Sequence, residues 1–77
     1  MSQTIYEGLG GDANVVNVDN CVTRLRVDIK DIENVYKEKI KSANVPGIKE
    51  VGNQHIQVIV GTNVQFVADE IHKMRNE

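Results

Sequence analysis

The sequence predicts an α+β fold: three helices packed on one face of a four-stranded antiparallel sheet, in the order α-β-β-α-β-β-α, with residues 1–77 as one domain. Three observations predict it. Several tracts alternate apolar and polar residues with period two, the signature of half-buried strands. Three other tracts repeat apolar residues at helical spacing, each giving a helix with one apolar stripe. The links between adjacent strand tracts are hairpin-length, so neighbouring strands run antiparallel and one-sided helices cover a single sheet face.

Thr4 to Leu9 forms the first expected helix, with Ile5 and Leu9 on one side and Gly10-Gly11 stopping it. From Asn14 the period changes to two, and Val16 and Val18 alternate with Asn17 and Asp19. After a break at Asn20-Cys21-Val22 the alternation resumes. Thr23, Leu25, Val27 and Ile29 point one way; Arg24, Arg26, Asp28 and Lys30 point the other. Asp31 is placed to cap a second helix by accepting an orphan amide. Ile32, Val35, Tyr36, Lys39, Ile40 and Ala43 share its stripe, and Glu33 and Lys37 are spaced for an i,i+4 pair on the wet side. Pro46-Gly47 ends it. Ile48 to Val51 reads as a short strand, Gly52-Asn53 as hairpin turn chemistry, and Ile56, Val58 and Val60 as the inward residues of a fourth strand. Thr62 and Gln65 have capping-box spacing ahead of a last helix that buries Val64, Val67, Ala68, Ile71 and Met74. Only the ends, Met1 to Gln3 and Arg75 to Glu77, read as loose.

The bulk numbers narrow the function. Seventy-seven residues lie near the lower size limit for an unaided core, and the single cysteine offers no disulfide to help. An unpaired thiol suits a reducing compartment. The sequence shows no charged n-region with an apolar stretch and no apolar run near the roughly 20 residues a spanning helix needs, so a cytoplasmic domain without membrane insertion is expected. Eleven acidic and nine basic side chains give a net charge of −2, which argues against nucleic-acid binding. His55 and His72 fall on different elements without neighbouring cysteines or clustered carboxylates, so no metal and no cofactor are expected. Lys37, Lys39 and Lys41 read as an ordinary helix surface. The glycines do not make a phosphate-binding G-x-G-x-x-G loop.

The chemistry concentrates in Asn20-Cys21-Val22-Thr23-Arg24-Leu25-Arg26. A lone cysteine is ordinarily an inert, buried residue. Cys21 differs because it sits at a break between strands and two arginines follow on one strand face. A guanidinium near sulfur favours the thiolate, the nucleophilic form. Arginine also offers a planar fork to phosphate oxygens, the Thr23 hydroxyl another hydrogen bond, and the successive amides of Val22, Thr23 and Arg24 an anion nest. A thiolate of depressed pKa is also a good leaving group, as a group carrier requires.

The run N-C-V-T-R-L-R-V, preceded by G-G-D-A-N-V, resembles the enzyme IIB domain of the glucose superfamily of phosphoenolpyruvate-dependent sugar phosphotransferase systems. The similarity extends through Q-V-I-V-G at Gln57 to Gly61 and the final amphipathic helix. It implies a four-stranded antiparallel sheet with helices on one side. It implies that Cys21 is a phosphocysteine, charged by a phosphohistidine of the enzyme IIA domain and discharged to a sugar bound in the membrane-embedded enzyme IIC domain, which would hold the chain at the inner face of the cell membrane. Val22, Thr23, Arg24 and Arg26 become the phosphate and partner surface. Where family members often carry Ala before the cysteine, this chain has Asn20, a departure that points toward an α-glucoside or maltose-type subgroup. Two other classes compete. A cysteine-dependent phosphatase places an arginine six residues after its nucleophile, where this chain has Val27. A small regulatory or ligand-binding module would carry an inert cysteine.

Overall fold

The computed structural model describes residues 1–77. Three helices, α1 (Ser2–Gly8), α2 (Lys37–Lys41) and α3 (Val64–Met74), cover one face of a sheet formed by β1 (Val15–Asn20), β2 (Arg24–Ile29), β3 (Gly47–Glu50) and β4 (His55–Ile59). The strands lie in the order β1-β2-β4-β3, and every neighbouring pair is antiparallel. This is the expected α+β architecture. The core holds Ile5 and Leu9 of the first helical segment, Leu25, Val27 and Ile29 of β2, Ile56 and Val58 of β4, and Val64, Val67, Ala68 and Ile71 of α3. Each set has the period its element demands, so the alternation in β2 sends Arg24, Arg26 and Asp28 to the opposite, helix-free face.

The structure departs from the pattern at five places. In β1, Val16 is 53% exposed and Val15 is buried, because the pairing steps from Val15↔Ile29 to Asn17↔Asp28 and leaves Val16 as the extra residue of a bulge. A bulge removes carbonyls from the ladder, and a buried carbonyl needs another donor. Arg75 supplies it: its guanidinium donates to Val15 O at 3.1 Å and Val16 O at 3.0 Å, and to the Tyr6 hydroxyl at 3.1 Å. Tyr6 in turn donates to Asp12. The ends are therefore tied down rather than loose, with Ser2 and Gln3 helical and Arg75 anchored across the bulge.

The second helix is not continuous. Asp31 does accept from Glu33 N at 2.9 Å, but the cap opens only a single 3-10 turn over Ile32–Asn34. Val35 is extended, and α2 begins only after Tyr36. Tertiary bonding outweighs the helical spacing here. Tyr36 N–H turns away to donate to Gly8 O at 2.7 Å, and Ile32 N–H donates to Asn53 O at 2.8 Å. The break separates Glu33 from Lys37, which pairs with Glu50 at 2.7 Å instead. Lys39 and Lys41 pair with Glu7 and Glu38, as suits a solvated helix surface.

The last two departures flank α3. Asn63 rather than Thr62 is the N-cap, with no side-chain cap bond, and Gln65 donates forward to Asp69 at 3.0 Å, so no capping box forms. Met74 is 37% exposed, beyond the edge of the core.

One buried polar residue joins the two ends of the first hairpin. Asn14, 1% exposed, donates through Nδ2 to Leu9 O at 2.8 Å and accepts Asp31 N–H on Oδ1 at 3.1 Å, while its carbonyl accepts from Lys30 N.

Candidate functional site

Cys21 occupies the turn between β1 and β2 and is solvent-exposed. The turn is short because Cys21 N–H donates to Arg24 O at 2.9 Å, closing the hairpin around Val22 and Thr23. It is clamped from two further sides. Val60 N–H and Gly61 N–H both donate to Thr23 O, at 2.9 and 3.0 Å. Gly61 has φ 115°, a left-handed backbone that glycine adopts without strain, and this sets two consecutive amides on one carbonyl. On the other side Asn20 Nδ2 donates to Cys21 O at 3.1 Å and reaches Gln65 Oε1 of α3 at 3.4 Å. A single cysteine in a flexible loop would sample many environments; this one is held by a strand end and a helix start.

That rigidity matters because of what faces the sulfur. The Cys21 thiol is held below its ordinary range. The Thr23 backbone N–H is the largest cause, followed, after an opposing desolvation, by the Arg24 N–H and then the charges of Arg24 and Arg26. Of the three amides expected to form a nest, those of Thr23 and Arg24 act on the thiol and that of Val22 does not; the backbone leads and the guanidiniums follow. Thr23 acts here through its backbone, with N–H toward sulfur and C=O receiving the β4 amides. The carboxylate of Asp19 accepts the Asn20 N–H at 2.8 Å. Val22 is 82% exposed at the tip of the turn, an apolar side chain displayed beside the thiol.

Arg24 and Arg26 lie on the open face of β2, as alternation predicts. Arg24 is half-buried and donates from Nη1 to Gln57 Oε1 at 3.1 Å. Arg26 is exposed, opposite Asp19 on β1 and Gln57 on β4. Neither has a carboxylate within 4.0 Å, although acidic residues outnumber basic ones; the ion pairs of this chain involve other cations. Two guanidiniums without carboxylate partners beside the thiol leave this face open to an anion.

Sequence reasoning named Asn20 only for its place before the cysteine, and gave His55 and Gln57 no part in the site. His55 is half-buried, with Nδ1 2.9 Å from Asp28 Oδ1. Strand parity already puts His55 and Gln57 on one face of β4, but only the β2–β4 register shows that this face meets Asp28, Arg26 and Arg24. His72 lies apart, against Glu77 at 2.7 Å.

An exposed cysteine on a clamped hairpin, followed by two arginines on a sheet backed by helices on one side only, defines a small α+β protein that displays its one thiol at a strand break. The family model "phosphotransferase system, EIIB" matches residues 3–35, which include Cys21, Arg24 and Arg26. The PTS system N-acetylglucosamine-specific EIIB component of Streptomyces coelicolor is 36% identical over 95% of this chain and 94% of its own length. The chain belongs to the phosphotransferase system EIIB family.

Two longer relatives are the N-acetylglucosamine-specific EIICB component of Bacillus subtilis, 43% identical, and the maltose-specific EIICB component of Escherichia coli, 40% identical. Each match covers 87% of this chain, which spans only 15% and 13% of those proteins. A solved structure of one domain of the PTS system, IIabc component from Clostridium difficile has the same fold, with TM-score 0.77 over 95% of this chain and 76% of that one at 24% identity. No helix of the chain is long and apolar enough to cross a membrane.

Proposed function

We propose that this chain is the phosphoryl-carrying domain of a bacterial sugar phosphotransferase system, with Cys21 as the phosphocysteine. The observation that carries the reading is the exposed Cys21 thiol, held toward its thiolate by the Thr23 and Arg24 amides beside two arginines without carboxylate partners. In the first step the thiolate attacks the phosphorus of a phosphohistidine on enzyme IIA. The S–P bond forms as the N–P bond breaks, and the released imidazole nitrogen takes up a proton. Arg24 and Arg26 neutralise the charge on the phosphoryl oxygens, and the Thr23 and Arg24 amides add donors that need no reorganisation. In the second step a sugar hydroxyl oxygen attacks phosphorus. The P–O bond forms, the S–P bond breaks, and the hydroxyl proton leaves to solvent or to a base on the acceptor side. The factors that favour the thiolate as nucleophile also favour it as leaving group, so one residue serves both directions. The chain is accordingly a protein-phosphohistidine–sugar phosphotransferase component.

The EIICB relatives support an acceptor in a membrane-embedded enzyme IIC domain, so this domain works at the cytoplasmic face of the membrane without inserting into it. Their names, which specify N-acetylglucosamine, maltose and, in a further Bacillus subtilis relative, glucosamine, support a sugar acceptor whose identity is set in the IIC domain. Val22 suits the partner surface, because an apolar side chain at the turn tip can be covered each time a donor or acceptor docks.

The test is phosphorylation from phosphoenolpyruvate through the general phosphocarrier proteins and enzyme IIA, with the adduct mapped by mass spectrometry. An acid-sensitive label on Cys21 that is lost in Cys21→Ser is expected. A label on His55 or His72, or one that persists in Cys21→Ser, refutes the reading. Release of phosphate from a phosphoester would favour a phosphatase, and no label a regulatory module.

A further inference from the structure

The helix-free sheet face carries an unbroken run of side-chain contacts from Asp28 through His55 and Gln57 to Arg24: Asp28 Oδ1 to His55 Nδ1 at 2.9 Å, His55 Nε2 to Gln57 Nε2 at 3.5 Å, and Gln57 Oε1 to Arg24 Nη1 at 3.1 Å. The polarity of the whole run is fixed from one end. A guanidinium has only donors, so Gln57 must turn Oε1 to Arg24 and its NH2 to His55. His55 Nε2 must then accept, which puts the ring proton on Nδ1, where Asp28 accepts it. The arrangement is consistent only while His55 is neutral. A protonated imidazole donates from both nitrogens, and Nε2–H would face the Gln57 NH2. Gln57 can satisfy it only by rotating its amide, which removes the acceptor from Arg24 and points an NH2 at a cation. The 3.5 Å link is the longest of the three and the one this conflict breaks.

We propose that Gln57 and His55 are positioning residues: Gln57 fixes the Arg24 guanidinium that serves the Cys21 phosphoryl group, and protonation of His55 releases it, slowing transfer as the medium acidifies. This rests on the phosphocysteine reading and deepens it. Charged groups surround His55 from three strands and the β2 end. Asp28 and Arg26 face it from β2 and Asp19 from β1, lining one shallow hollow with it. Lys30 and Asp31 border it on the other side. Lys49 of β3 stands opposite Gln57, and Glu50 opposite Ile56, the residue beside His55. Asp28 makes the direct contact.

The experiment measures phosphoryl transfer from phosphorylated enzyme IIA to Cys21 against pH, for the whole chain, His55→Gln and Gln57→Leu, with the same donor throughout so that its own titration cancels. Transfer to the unaltered chain should fall about threefold, the value of one modest hydrogen bond, as His55 protonates. His55→Gln should lack that inflection but keep the one belonging to Cys21. Gln57→Leu should be slow by about the same factor at every pH and equally flat. In parallel, two-dimensional NMR of the unphosphorylated chain should show the Gln57 side-chain amide and Arg24 Nε–H signals moving with the His55 ring titration and not with that of His72. Identical pH profiles for the unaltered chain and His55→Gln, or Gln57 amide signals that stay fixed while His55 titrates, overturn the proposal. Failure of Cys21 to take the label at all overturns the carrier reading and, with it, the effect on transfer; NMR coupling would then stand as a property of the sheet face alone.

Discussion

Replacing Asn14 by Ala tests how the fold holds its two hairpin ends together. Asn14 is 1% exposed, and its side chain makes two hydrogen bonds, to Leu9 O at 2.8 Å and from Asp31 N–H at 3.1 Å. Removing one partner leaves the other group to bear its desolvation cost, about 1–3 kcal/mol when it is buried. Leu9 is fully buried, so its carbonyl falls in that range, while Asp31 is exposed and its amide can turn partly to water. The sum is about 3 kcal/mol, out of roughly 4–12 kcal/mol for a domain of this size. With an m-value of about 1 kcal/mol/M, the urea midpoint should fall by about 3 M with the slope unchanged.

Asn14→Asp sharpens the test through pH. Its carboxylate can still accept from Asp31 N–H but faces the Leu9 carbonyl without a donor, and burial raises its folded pKa above the unfolded value. Between those two values the native state binds more protons than the unfolded state, so this variant should gain stability as pH falls through that window, opposite to a paired surface carboxylate. A loss below about 0.5 kcal/mol in Asn14→Ala, or an Asn14→Asp stability that does not rise on acidification, would show that Asn14 does not hold the hairpin ends in this way.

Three further outcomes are expected. The iodoacetamide alkylation curve of Cys21 should lie below that of the unfolded chain, and Arg24→Ala or Arg26→Ala should raise it only partway, because the Thr23 amide is the leading cause; a curve at the unfolded position would show that the amides do not act on the thiol. The depressed thiol also means that the unfolded chain binds more protons across the thiol range, so this group adds stability as pH rises through it. Arg24→Lys and Arg26→Lys should each slow transfer to sugar roughly tenfold with the urea midpoint unchanged, since charge survives but the fork does not; unaltered transfer in both would make the arginines mere surface charge. Gly8→Ala should cost about 1–3 kcal/mol in a thermal or urea melt, because its Cβ would sit 2.5 Å from Ile40 Cγ1 at the α1–α2 contact, and a neutral result would show that α2 can slide away.

Local pattern was enough for the architecture and for singling out Cys21. Period-two tracts around Leu25–Val27–Ile29 and Ile56–Val58, and the stripe Val64–Val67–Ala68–Ile71, are local signals, because side-chain direction along a strand or helix follows from backbone geometry alone. The placement of Cys21 at a strand break, with Arg24 and Arg26 on the face away from the core, follows from the same parity. What depended on partners distant in sequence was invisible to it. The bulge at Val16 exists where Arg75, 59 residues away, receives the freed carbonyls. The helix break at Val35–Tyr36 exists because the Tyr36 amide meets the Gly8 carbonyl, a stronger claim than helical spacing in a short segment. The thiol depends first on a backbone amide whose direction the clamped turn sets, and the Arg24 guanidinium on Gln57 of β4. Tertiary structure decided these because hydrogen bonds need partners within about 3 Å, and spacing along one strand says nothing about which residues another strand brings that close.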